Sequence, residues 1–131
     1  MYFFDNQPSQ AQDWAISHSA NRVRGTKVAV IESDITYGKL LNLCDLESFR
    51  HMKWFKQEYE KKANARTTLA TIIDIIADKT QAEVVRAMRL RKGPDALEFG
   101  FSADIELILA VRNIANILSK NLVWSGLVGY V

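Results

Sequence analysis

The stretch Tyr2-Phe3-Phe4-Asp5-Asn6-Gln7-Pro8 constrains this chain more than any other. Three aromatic residues in a row favour a short strand, and Asp5-Asn6 stops it with turn chemistry. Pro8 then suits the first position of a helix, because the N–H it lacks has no intrahelical partner there. A helix from about Pro8 to Ala20 puts Ala11, Trp14, Ala15 and His18 on one face. The sequence therefore opens on strand, tight turn and helix, with the strand expected at a sheet edge.

The chain has 131 residues, enough for one domain over 1–131. At 48% apolar and 24% charged it has ordinary globular composition. Its longest nearly apolar run, Leu107 to Val111, is too short to span a bilayer. The first residues lack the basic and apolar regions of a signal peptide. The lone Cys44 fits a reducing compartment, so a cytoplasmic location and no membrane association are expected. A net charge of +2 does not by itself indicate a nucleic-acid partner.

Further along, Lys27 to Ile35 is apolar on both faces and reads as a central strand, followed by a turn at Tyr37-Gly38-Lys39. Asp45 suits the N-cap of a helix from Leu46 to Ala63, with Phe49, Met52, Phe55 and Tyr59 as its inner stripe. Asn64 is expected to cap a second helix, Ala65 to Asp78, that buries Leu69, Ile72, Ile73 and Ile76. Glu83 to Leu90 reads as a strand, and Arg91 to Ser102 as a loop around Gly93-Pro94 and Gly100. Asp104 to Arg112 suits a buried strand, although periodicity leaves a helix open there. Ile117 to Val131 supplies a further strand, or a hairpin around Ser125-Gly126. Early strands, middle helices and late strands make an α+β fold.

Several chemistries lack their motifs. There is no phosphate loop, no dinucleotide-binding glycine motif and no zinc-binding spacing; His18 and His51 are the only histidines. No metal site is expected. Cys44 reads as a small core residue rather than a reactive thiol. Arg86, Arg89, Arg91 and Lys92 form the one concentration of charge, read either as a solvated strand end or as an anion or nucleic-acid contact.

Taken in order, Tyr2-Phe3-Phe4-Asp5-Asn6, Pro8, Ala11, Trp14 and Ala15 resemble the G-x-Y-F-[FW]-E-N-x-P-x-x-A-L-x-[WY]-A segment of bacterial ADP-ribosyltransferase-fold proteins. Val30-Ile31 with Gly38 to Leu43, Arg66 to Ile76, and Leu109 to Asn113 with Ile117 are similar to later segments of that family. The matches are short, but they span nearly the whole chain. The resemblance implies a small ADP-ribosyltransferase-like split β-sheet, with helices inserted between early and late strands, and NAD as cofactor. It implies Tyr2 as the tyrosine facing nicotinamide and Trp14 as a second aromatic on the following helix. The family's histidine strand would lie ahead of residue 1.

On the late strand the family's glutamine falls on Ile108, and Glu106, two residues earlier, shares its strand face. Glu106 is the candidate catalytic carboxylate only if the strand is shifted or bulged, because two strand rises separate it by about 6–7 Å from that position. The implied activity is transfer of ADP-ribose from NAD to a macromolecular target, as in a toxin or effector, with catalysis weakened or lost. The alternative is a binding or inhibitor module on the same scaffold, with a protein target or antitoxin-like partner. It would use the Arg86–Lys92 cluster and the helix carrying Trp54 and Tyr59, and a homodimer is open to it. Exposure of Trp54 would favour such an interface, since large aromatics concentrate at binding hot spots.

Overall fold

A computed structural model of the protein describes residues 1–18, 25–91 and 104–127. The elements in order are β1 (Tyr2–Phe4), α1 (Pro8–His18), β2 (Lys27–Glu32), β3 (Leu40–Asn42), α2 (Leu46–Ala63), α3 (Leu69–Thr80), β4 (Val84–Arg91), β5 (Asp104–Val111), a 3-10 turn (Ile114–Asn116) and β6 (Asn121–Leu127). The fold class is α+β. The strands form one sheet in the order β1-β5-β4-β3 and a second, two-stranded sheet of β2 and β6. The β1–β5 and β4–β5 pairs are antiparallel, and β3 runs parallel to β4. A parallel pair needs a long crossover, and the helices α2 and α3 supply it.

Alternation along the strands gives the larger sheet two apolar faces. On one face Val85, with Leu41, Ala87 and Ala110, packs against Met52 of α2 and Ile72 and Ala77 of α3. On the other, Val84, Leu109 and Val111 pack with Phe3, Leu40, Ile35 and Ile117. Ile35 and Ile117 also pair as an isolated β-bridge, which ties the link after β2 to the segment before β6.

Several boundaries follow the sequence directly. Pro8 begins α1, and Asp45 caps α2 by accepting a hydrogen bond from the Ser48 N–H. Residues 104–111 form a strand. Other expectations are corrected. The strand at Lys27 is not central; among the described residues it pairs only with β6, and its ladder shifts register between Val30 and Ile31. Asn64 ends α2 rather than starting α3. It adopts a left-handed conformation, and its N–H donates to the last carbonyls of α2. The cap of α3 is Thr68, whose side chain accepts from the Thr71 N–H.

The expected inner stripes are also only partly inward. Met52 is buried and Phe55 half-buried, but Phe49 and Tyr59 are exposed. Ile72 is fully buried, whereas Leu69, one turn earlier, is 46% exposed. The strand β3 has no counterpart in the sequence reading. Its three residues lie between a turn and a helix cap, too few for a periodic signal. β6 runs straight through Ser125-Gly126 with no hairpin. The Trp124 indole lies over Gly126, where an added Cβ would collide with the ring. Most of the expected loop at Arg91 to Ser102, with Lys92, Gly93-Pro94 and Gly100, lies outside the described residues, while Arg91 ends β4. Among the described residues no helix is long and apolar enough to cross a membrane.

Candidate functional site

A cleft of about 640 Å3 opens between the two sheets, bordered by β1, the start of α1, β2 and the segment leading to Tyr37. That is the size of a small-molecule site. Its apolar walls include Phe3, Phe4, Trp14 and Leu109; its polar groups include Asp5, Asn6, Gln7 and Ser33.

The turn between β1 and α1 forms one end. Asn6 takes a positive φ of 51°, a conformation that asparagine tolerates better than most residues. The turn is pinned to Leu107 from both sides. The Asp5 N–H donates to the Leu107 carbonyl at 2.8 Å, and the Gln7 side-chain oxygen accepts from the Leu107 N–H, also at 2.8 Å. A side chain thus continues the β1–β5 ladder after the backbone has turned away.

Register places Phe3, Leu109, Arg86 and Asn42 in one row across the cleft face of the larger sheet. Arg86 reaches over β5, and its Nε donates to Asp5 Oδ2 at 2.8 Å in a partly buried ion pair. That bond holds the guanidinium pKa above its usual value, against the opposing effect of burial. Cys44, next to β3, also lies near Arg86. It is half-buried rather than a core residue, and its N–H donates to Asn42 Oδ1.

Of the sequence-derived site residues, the structure brings Trp14 to this cleft and leaves Tyr2 at its rim. Trp14 borders it and is 44% exposed. The Trp14 ring stacks on His18, one helical turn on, with centroids 4.3 Å apart and planes 10° from parallel. Tyr2 borders the cleft at the edge of β1 and is 79% exposed. It pairs with Ala110, so alternation gives its side chain the sheet face opposite that of Phe3.

Glu106 is not brought to the cleft. It shares a strand face with Ala110, which packs toward the helices, while Leu109 lines the cleft. The β4–β5 ladder runs without a register shift, so no bulge turns Glu106 around. Its side chain is 0% exposed. Tyr2 and Glu106 stand about 14 Å apart by strand geometry, four residues along and one strand over.

The basic cluster divides as well. Arg86 is committed to Asp5, Arg89 and Arg91 belong to β4, and Lys92 lies outside the described residues. Sequence reasoning missed the Asp5–Arg86 pair because 81 positions separate the partners. Only the β1-β5-β4 order brings them together.

On the helical side of the larger sheet, a second and more apolar groove of about 560 Å3 is lined by Leu41, Leu43, Met52, Phe55 and Ile76. Trp54 stands at this groove and is 62% exposed. Nearby, Lys79 lies over the Phe55 ring, 5.3 Å from its centroid.

Comparisons of the chain with protein-family models, curated proteins and solved structures return no match.

Proposed function

We propose that this chain is an ADP-ribosyltransferase-like domain that binds NAD in the cleft between the two sheets. The observation that carries the reading is the cleft itself. It has the volume of a nucleotide-sized ligand, aromatic surface from β1 and α1, and hydrogen-bonding groups on the turn that joins them. A flat indole backed by a second ring is a ready stacking surface for a planar heterocycle. The ordered resemblance of the Tyr2–Ala15 segment supports the same reading. Because Glu106 lies on the other sheet face, the reading is one of binding first. ADP-ribose transfer to a macromolecular target, and a toxin or effector role, depend on whether bond cleavage also occurs.

The test is calorimetric titration with NAD, with nicotinamide release followed in the same samples. Micromolar binding is expected, weakened about tenfold by Trp14→Ala through loss of the stacking surface. Absence of binding at millimolar NAD would refute the proposal. Release of nicotinamide would extend it from binding to chemistry.

A second reading rests on Trp54. A largely exposed tryptophan beside an apolar groove suits a protein-binding module. Self-association at high micromolar concentration that Trp54→Ala removes would support it for a homodimer. A wild-type protein that sediments as a monomer throughout would count against the homodimer.

A further inference from the structure

We infer that the open edge of β3 takes an added strand from an acidic segment of another protein, an inference that rests on the reading of the Trp54 groove as a protein-binding site. β3 ends the larger sheet, and among the described residues no strand lies beyond it. Its hydrogen bonds alternate, as a parallel pair requires. The Lys39 carbonyl accepts from the Val84 N–H, and the Leu43 N–H donates to the Arg86 carbonyl at 2.7 Å, so these residues bond toward β4. Leu40 and Asn42 therefore turn their backbone groups the other way. The Asn42 carbonyl is taken by the Asp45 N–H at 3.4 Å. The Leu40 and Asn42 N–H groups and the Leu40 carbonyl are left at the edge.

The groove lies where the side chains of an added strand would go. Leu41 and Leu43 pack on the helical face and line it, with Met52, Trp54 and Phe55 of α2 opposite. A strand about 4.8 Å outside β3 sends every second side chain to that face, into the groove beside Trp54. Main-chain bonds to a sheet edge, with alternate side chains in an apolar pocket, form a recognised mode of peptide binding. A helix lying in the groove would leave the edge groups without partners. So short an edge can also be simply a protected one, and amide exchange separates the two accounts.

Charge selects the occupant. His51 is the one titratable group among the lining residues, and Lys79 lies over Phe55. Glu60 and Glu58 of α2 pair with Lys56 and Lys61. Among the described residues Arg50, Lys53, Lys62 and Lys79 have no carboxylate partner, and Glu47 is the one carboxylate of α2 left against them. Two copies of the chain joined through β3 would set these basic helices side by side. An acidic segment with large apolar side chains complements both the charge and the groove.

The test is selection of displayed random peptides on the whole chain, followed by affinity and amide-exchange measurements on the enriched peptides. Asp and Glu flanking an alternating apolar or aromatic run are expected. Trp54→Ala, at an exposed position, is expected to weaken these peptides about tenfold. On binding, exchange of the Leu40 and Asn42 amides should slow at least about tenfold, while the Leu41 amide, already bonded to β4, stays within about twofold. A scan of N-methyl groups along the peptide leaves the protein unaltered and should abolish binding at alternate residues. Trp54-dependent peptides that are basic, that carry apolar residues at helical spacing or that leave Leu40 and Asn42 exchange unchanged would overturn the added strand and keep the groove. No enriched peptide, or binding indifferent to Trp54→Ala, would remove the reading of the groove itself.

Discussion

Replacing Ile72 tests the packing that holds the helical layer on the sheet. Ile72 is fully buried in the cluster of Leu43, Met52, Ala77, Ala82 and Val85. Ile72→Ala removes three carbons, worth about 2.4 kcal/mol at about 0.8 kcal/mol each. The void they leave adds to this, because α3 is tied down at both ends. Thr68 caps its start, and the Ala82 N–H bonds back to Ala77 beyond its end. A total near 3–4 kcal/mol follows. With a urea dependence of about 1.5 kcal/mol/M, the unfolding midpoint falls by about 2 M. Leu69→Ala, in the same helix but 46% exposed, is the internal control and is expected to cost below about 1 kcal/mol. Equilibrium urea unfolding followed by circular dichroism measures both. Equal losses at the two positions, or a loss under about 1 kcal/mol at Ile72, would refute the assignment of the inner face of α3.

Three further outcomes are expected. Gly38 has φ +52°, and a Cβ there would press on the Glu83 carboxylate that accepts the Lys39 N–H at 2.7 Å; Gly38→Ala is expected to lower stability by about 1–2 kcal/mol in the same urea assay. Glu106→Gln should leave NAD affinity within about twofold, since the cleft proposed to take NAD lies on the other face of the sheet; a tenfold loss at unchanged stability would put Glu106 back in the site. The Glu60 carboxyl is held below the usual carboxylate range, first by its hydrogen bond from Lys56 and then by the Thr67 N–H. A lowered carboxyl pKa stabilises the fold above the ordinary carboxylate range, and that contribution is lost as pH falls through the folded value. The difference in thermal midpoint between wild type and Glu60→Gln should therefore be present at neutral pH and disappear in acid, once the carboxyl is protonated in the folded as well as the unfolded chain.

The sequence alone determined what is encoded over a few residues. The aromatic run and Asp5-Asn6-Pro8 define β1, its turn and the start of α1. Asp45 defines the start of α2, and the β-branched 104–111 segment defines β5. Each signal depends on backbone conformation or capping by near neighbours. Tertiary structure decided the rest. Asn64 has the chemistry of either helix cap, and the end of α2 used it first. Leu69 and Ile72 are both apolar on one helix, and only the position of the sheet separates buried from exposed. β3 is a strand because β4 lies beside it. At the site, residues 2–14 carried the aromatic pieces of the cleft, but its anchored carboxylate appeared only with the fold. In the sequence Glu106 is the candidate acid and Asp5 only a turn residue. Strand parity sends Glu106 to the face that the helices cover, and sheet order sets Arg86 against Asp5. Parity and order are properties of how strands meet, and no window of sequence contains them.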